Sequence, residues 1–308
     1  MLLEAFAMKA VRLHAYGGTD QLRYEDVPMP EPGADEVLVR VAATSVNPID
    51  WKLRSGAAKD RMPLTFPAIL GRDVAGTVVK AGRNVRNPVP EQKVMGLVNG
   101  SYAEYLVARA DNLTVIPDGL ELDQAAALPL VATTGGQLIQ RMQLKPGDLV
   151  LVTGALGSVG RSAVYQAKRQ GARVIAGVRT EQKEEARSLN VDQVIAIDDD
   201  KEVAEAPELD GIADTVGHDV IGKLIPKLKA GGVLGSVLGK PKEAEGKDIR
   251  VEAFMAQPDA SLLRQMADAV RDGELTIPVA KKMRLSEAGE AQSLAEKGSL
   301  GGKILLIP

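Results

Sequence analysis

Val150-Leu151-Val152-Thr153-Gly154-Ala155-Leu156-Gly157-Ser158-Val159-Gly160 is an apolar run that stops at a glycine-rich turn and passes at once into a helical pattern. A strand buried in a parallel sheet reads as a continuous hydrophobic run. A helix N-terminus carries N–H groups without intrahelical acceptors, and these can hold a pyrophosphate. Gly154 allows the turn, Gly157 lets a phosphate approach the backbone, and Gly160 lets helix and strand pack closely. Ala155 departs from the common fingerprint, standing where its first glycine falls. The strand before and the helix after supply the context that a bare glycine triplet lacks. Gly154, Ala155, Gly157, Ser158, Val159 and Gly160 are therefore the candidate dinucleotide-binding turn.

Outward from this turn, two compositional regimes appear. Before about Asp123 the chain reads as short strands broken by Pro and Gly: Lys9–Leu13, Glu36–Ala43, Gly76–Gly82 and Ala103–Val107. Such spacing predicts a compact, mainly antiparallel β domain. From about Gln124, helical and strand patterns alternate, which predicts a doubly wound parallel sheet. Val174–Ala176, Val194–Ile197, Ile212–Val216 and Val233–Leu238 are its further strands, and Val233–Leu238 is a candidate apolar edge. Ser158–Gln170 and Glu181–Leu189 read as helices, and Val220, Ile221, Leu224, Ile225 and Leu228 as one helix face. The segment from Leu275 to Pro308 ends in the strand Lys303–Ile307 and is expected to return to the first domain. The predicted division is 1–123 with 273–308 for the β domain and 124–272 for the parallel-sheet domain.

Composition removes several function classes. The chain has 308 residues, room for about two domains. A net charge of −3 gives no pull toward nucleic acid or anionic membranes. No apolar run approaches the roughly 20 residues of a membrane span. Met1–Met8 lacks a basic n-region, so it does not read as a secretory signal, and it reads as an extension before Met8. A cytoplasmic location is the expectation. Zero cysteines exclude disulfides, thiolate catalysis and cysteine-ligated zinc, and two histidines exclude a histidine-rich metal site. No metal is expected.

The second strand of a dinucleotide-binding sheet ends beside the adenosine ribose, where an acid about 20 residues past the glycines selects NAD. Here the strand ends Ile175-Ala176-Gly177-Val178-Arg179-Thr180 with no carboxylate. Arg179 and Lys183 can instead hold a 2′-phosphate, so NADPH is the expected cofactor. The plain alternative is two solvated cations beside Glu181, Glu184 and Glu185.

Several segments together resemble the zinc-free quinone oxidoreductase branch of the medium-chain dehydrogenase/reductase superfamily. They are Ser45–Gly56 (SVNPIDWKLRSG), Gly71–Val78 (GRDVAGTV), Ala126–Thr134 (AALPLVATT), the glycine turn and Gly302–Ile304. The resemblance implies an α/β chain with a Rossmann sheet and a GroES-like β catalytic domain. It implies hydride transfer from NADPH to a quinone or α,β-unsaturated carbonyl, and, by analogy, a homodimer joined at the edge of the cofactor sheet. In zinc-dependent relatives a cysteine aligns with Asn47 and a histidine with Arg72, so both ligands are replaced.

By the same resemblance Asn47 bonds the nicotinamide ribose and Thr134 lies near that sugar or the phosphates. Lys303 belongs to the cofactor set, and Gly217, Leu238 and Gly239 meet the nicotinamide at the strand ends. The plain alternatives are a turn role for Asn47 and a helix N-cap for Thr134. Lys52 is the candidate catalytic cation, stabilising negative charge on the acceptor oxygen; its alternative is an exposed helix lysine. Asp50 could cap a short helix, and Arg54 could pair with Asp50 or Asp73. Phe254 and Met255 are candidates for the substrate mouth, the core or a dimer interface. Gly135-Gly136, where the branch usually has an aromatic, is expected to loosen that wall. Two further readings stay open: a 2-enoyl-thioester reductase, and an NADPH-binding sensor or structural protein without turnover.

Overall fold

The computed structural model describes residues 7–298 and 300–308, so most of the N-terminal extension lies outside the described residues. The chain divides into two compact units. Of the described residues, one unit comprises 7–130, Pro258–Gly273 and those from Ile277 onward; the other comprises Val131–Gln257 and Glu274–Thr276. The divide falls at Leu130 and not Asp123. The helix Ala260–Arg271 groups with the first unit, where the Arg264 guanidinium donates to the Val115 carbonyl.

In the first unit Ala7–Leu13 and Leu22–Pro28 form an antiparallel hairpin, with Met8 opposite Val27 and Leu13 opposite Leu22. A larger sheet is ordered Val279–Arg284, Lys303–Ile307, Glu36–Ser45, Asp73–Ala81, Lys93–Leu97, Leu113–Val115, with Tyr105–Arg109 also paired to Glu36–Ser45. All its pairs are antiparallel except Val279–Arg284 with Lys303–Ile307. Its β-branched residues Val37, Val39, Val41, Val74, Val78 and Val94 make one core cluster, the packing for which such side chains suit strands.

The second unit is a six-stranded, wholly parallel sheet. Its order is Gln193–Ala196, Arg173–Val178, Leu149–Thr153, Leu209–Asp214, Leu228–Ser236, Arg250–Ala253. Counted from Leu149–Thr153 this is 3-2-1-4-5-6, the dinucleotide-binding order. Alternate residues of each strand point to opposite faces. Val150, Val152, Val174 and Ala176 join one core cluster, while Leu149, Leu151 and Ile175 join another. The apolar runs of the sequence are therefore apolar because both faces are covered.

Three expectations are corrected. Val233–Leu238 is not an edge, because Leu228–Ser236 is paired on both sides and Arg250–Ala253 holds the edge. The helix expected through Leu228 stops at Leu224: a 3-10 turn containing Pro226 follows, and Leu228 opens a strand. Glu181–Leu189 is one helical turn, Lys183–Ala186, between two 3-10 turns.

Candidate functional site

The turn after Leu149–Thr153 sits where the strand order reverses, the place where open parallel sheets bind ligands. Gly154 has φ +61°, a left-handed conformation that favours glycine. At Gly160 a Cβ would lie 2.1 Å from the Gly154 carbonyl oxygen and 2.8 Å from Ala155 Cα, so only glycine lets the helix seat against the turn. Gly157 caps the helix Ser158–Arg169 in extended conformation. The first intrahelical bond there is donated by Arg161 N–H to the Gly157 carbonyl at 2.8 Å. The N–H groups of Ser158, Val159 and Gly160 thus have no intrahelical acceptor. Arg161 also holds the Leu156 carbonyl at 2.9 Å, fixing the turn from outside.

Gly135 is a correction. Its Cβ would fall 2.5 Å from the Val159 carbonyl oxygen and 2.6 Å from Ser162 Cβ. It brings the helix Pro129–Met142 against the helix Ser158–Arg169 and does not loosen a wall. Thr134 lies inside that helix, buried, and is not its N-cap.

Across the switch point Asp214 is a buried hub that the sequence reading did not single out. Its Oδ1 accepts from Thr153 Oγ1 at 3.1 Å, Val216 N–H at 3.2 Å and Gly217 N–H at 2.8 Å. Its Oδ2 accepts from Ser236 Oγ at 3.0 Å, and Ser236 Oγ in turn accepts from Leu238 N–H at 3.2 Å. One carboxylate thereby fixes the ends of three neighbouring strands. Gly217 (φ +71°) and Leu238 are brought side by side, since a Cβ on Gly217 would meet Leu238 Cδ1 at 2.7 Å. Leu238 is 42% exposed, and Gly239 has open space about its Cα. Phe254 packs partly on the core beneath the Arg141 guanidinium, 4.9 Å from its ring centre, and Met255 is exposed.

Past the end of the strand Arg173–Val178, Arg179 is 66% exposed, and its ion pair with Glu181 spans 3.8 Å. Lys183 is engaged at 2.6 Å by Glu202, which also accepts from Ala196 N–H at 2.8 Å.

In the first unit the helix Pro48–Ser55 opens on Asn47, with Asp50 accepting from the Asn47 N–H at 2.8 Å. Asp50 is therefore a cap. Asn47 is fully buried. Its Nδ2 donates to Asp73 at 2.7 Å and to the Ser45 carbonyl at 3.3 Å, and its Oδ1 accepts from Lys303 Nζ. Asp73 also accepts from Ser45 Oγ and from Leu130 N–H. Lys303, likewise buried, donates to the Val46 carbonyl at 3.0 Å and stands 3.7 Å from Asp73. Burial pushes the Lys303 ammonium below the ordinary lysine range, against the pull of Asp73 and Asp50. Burial also pushes Asp50 up to about 7, with the Asp73 charge adding to the rise and the Asn47 N–H, Tyr102 hydroxyl and Lys303 opposing it. Arg54 pairs with neither aspartate. It reaches Gln292 at 2.9 Å and Glu296 at 3.1 Å, which a helix far along the chain supplies. Lys52 is exposed; its backbone carbonyl accepts from Ala58 N–H at 3.1 Å, and its ammonium has no hydrogen bond or ion pair among the described residues. Arg72 Nε is buried without a hydrogen-bond partner, and burial lowers the Arg72 pKa.

These residues do not make a zinc site. An amide at 47 and a guanidinium at 72 are not zinc donors, and Asp73 is already occupied by Asn47, Ser45 and Lys303. Among the described residues no group of three or more His, Asp or Glu could hold a metal.

A glycine turn at the switch point of a 3-2-1-4-5-6 sheet, carried with a mainly antiparallel β unit, defines a nicotinamide-dependent oxidoreductase. Residues 33–118 match the alcohol dehydrogenase GroES-like domain, and 189–306 match the zinc-binding dehydrogenase family. The chain is 30% identical, over 99% of its length and all of the relative's, to the chloroplastic quinone-oxidoreductase homolog of Spinacia oleracea. It is 30% identical, over 98% of its length and 80% of the relative's, to the chloroplastic NADPH-dependent alkenal/one oxidoreductase of Arabidopsis thaliana. Among solved structures, the quinone oxidoreductase from Coxiella burnetii superposes with a TM-score of 0.88 at 31% identity, covering 98% of this chain and 100% of that one. The chain belongs to the quinone oxidoreductase branch of the medium-chain dehydrogenase/reductase superfamily.

Proposed function

We propose that this chain is a zinc-independent, NADPH-dependent reductase of quinones or α,β-unsaturated carbonyls. The glycine turn at the switch point of the parallel sheet carries the reading. Likeness over 98–99% of this chain to proteins named for quinone and for alkenal/one reduction supports the acceptor class. The bound coenzyme would supply a hydride to an electron-poor carbon. In this proposal Ser158, Val159 and Gly160 hold the diphosphate through their N–H groups. Arg179 takes the 2′-phosphate, with Lys183 once it leaves Glu202. Thr134, Gly217, Leu238 and Gly239 border the nicotinamide. Asn47 and Lys303 act by fixing one another, since their polar atoms are spent inside the first unit.

Negative charge grows on the acceptor oxygen as hydride arrives, and a cation that meets it lowers the barrier. Lys52 is proposed for that role, and Arg72, with its unpartnered Nε, is a second candidate. No zinc is required when the acceptor is already activated.

The test is NADPH oxidation with 1,4-benzoquinone and with a short enone. Turnover of either supports the proposal. Turnover of an enoyl thioester alone would reassign the substrate, and tight NADPH binding without any turnover would make the protein a sensor. Lys52→Met is expected to lower enone kcat by roughly 10- to 100-fold; full turnover would remove Lys52 from the chemistry.

Among the described residues no helix is long and apolar enough to cross a membrane. A homodimer through the edge strand Arg250–Ala253 is proposed by family analogy, and its test is the mass of the protein in solution.

A further inference from the structure

The sequence shows no acid at the tip of Arg173–Val178, but the fold brings one there. Gln193–Ala196 lies parallel beside that strand, with Ala196 opposite Val178, and Ile197 N–H donates to the Val178 carbonyl at 2.8 Å. The chain therefore leaves this strand alongside Arg179 and Thr180. Asp198 Oδ1 accepts from Thr180 N–H at 2.9 Å and from Thr180 Oγ1 at 3.0 Å. Asp198 is exposed, and its Oδ2 has no hydrogen-bond partner among the described residues. Of the two candidate cations, Arg179 lies near Glu181 and Lys183 is held by Glu202. Two cations thus face three carboxylates, and each cation already has an acidic neighbour.

Resting on the coenzyme site proposed above, we propose that Asp198 is a specificity-determining residue for the coenzyme. Its free carboxylate oxygen accepts from a ribose 2′-hydroxyl and repels a 2′-phosphate, so it limits the NADPH preference that Arg179 sets. In this sheet order the acid that selects NAD stands at the tip of the second strand, and Asp198 reaches Thr180, two residues past that tip. Here the acid comes from the neighbouring strand and not from the strand whose tip it guards. A phosphate carries close to two negative charges, so one carboxylate beside it opposes binding, while a hydroxyl gains an acceptor.

The test compares NADPH and NADH dissociation constants for the wild type, Asp198→Asn and Arg179→Ala, by coenzyme fluorescence. Asparagine keeps the oxygen that accepts from Thr180 and removes only the charge. D198N is expected to bind NADPH about three- to tenfold more tightly, with NADH unchanged or weaker, and the gain shrinks as salt rises. An unchanged NADPH/NADH ratio would overturn the proposal, as would equal weakening of both coenzymes. R179A supplies the second arm. With the guanidinium gone, the unopposed carboxylate is expected to make NADH bind better than NADPH, whereas equal affinities would leave Asp198 no role. If the wild type binds NADH alone, the NADPH reading fails, and Asp198 is still tested by whether D198N admits NADPH.

Discussion

Asp50 carries a proton question that its surroundings answer. One carboxylate oxygen accepts from the Asn47 N–H and the Tyr102 hydroxyl, and the other is buried without a partner. Burial is the largest influence, and it raises the group from 3.8 to about 7. A carboxyl that holds its proton more tightly folded than unfolded makes the native state bind more protons between these values, so stability falls as pH rises from about 4 to about 7. The contribution is fully lost above the folded value and is on the order of a few kcal/mol. Asp50→Asn keeps a cap oxygen and cannot ionise. Its unfolding free energy is expected to decline less than the wild type's over that window, as followed by chemical denaturation at stepped pH. Parallel declines would show that Asp50 is already ionised at pH 5. Gly160 supplies a second prediction. Gly160→Ala places a methyl 2.1 Å from a backbone oxygen, with no flexible side chain to yield. It is expected to cost about 1–3 kcal/mol by overpacking and to weaken NADPH, measured by melting and by titration. An alanine variant with wild-type melting and affinity would mean that helix and turn do not meet this closely.

The strand ends at the switch point work as a unit. Thr153 Oγ1 donates to Asp214 and accepts from Thr215 N–H at 2.9 Å, while Thr215 Oγ1 donates to the Thr153 carbonyl at 2.6 Å. Thr153→Val keeps the shape of a fully buried residue and removes the hydroxyl. It leaves the Thr215 N–H without its acceptor, an expected cost of about 1–3 kcal/mol. Asp214 still accepts from Val216, Gly217 and Ser236, so the strands stay in place while the loop end loosens. The NADPH dissociation constant is expected to rise roughly tenfold, equivalent to ~1.4 kcal/mol. A destabilised variant with unchanged NADPH affinity would confine the Thr153–Asp214 brace to folding. This element also marks a limit of pattern reading. Ile212-Ala213-Asp214-Thr215-Val216 reads as a strand ending in polar residues, but that Asp214 binds Thr153 and Ser236, 61 and 22 positions away, is a property of strand order. The same limit hid Asp198, which acquires its neighbour only when two parallel strands align.

Across the whole molecule, the parallel sheet was legible because its apolar runs and glycine turn are local signals. Where the coenzyme-binding unit ends was less so, because Ala260–Arg271 has helical periodicity whichever unit it covers. The polar cluster of the first unit was least legible. Its members come from positions 45, 47, 50, 73, 102 and 303: long-range folding joins the first five, and closure of the sheet by the terminal strand adds Lys303. Lys303 shows what this closure does. It lies on Lys303–Ile307, which pairs with Glu36–Ser45, and its ammonium reaches Val46 and Asn47 more than 250 positions earlier. It is also the cation that stands against Asp73 in the interior. Lys303→Met leaves the buried Asp73 without that cation, an expected loss of about 3–5 kcal/mol. Adding Asp73→Asn removes the stranded charge, so the double variant is expected to be more stable than the sum of the single losses predicts. Strict additivity of the two losses would mean that Lys303 and Asp73 do not interact. If instead K303M melted like the wild type and lost only NADPH affinity, Lys303 would be a coenzyme ligand and not the ion that holds the end of the chain to its beginning.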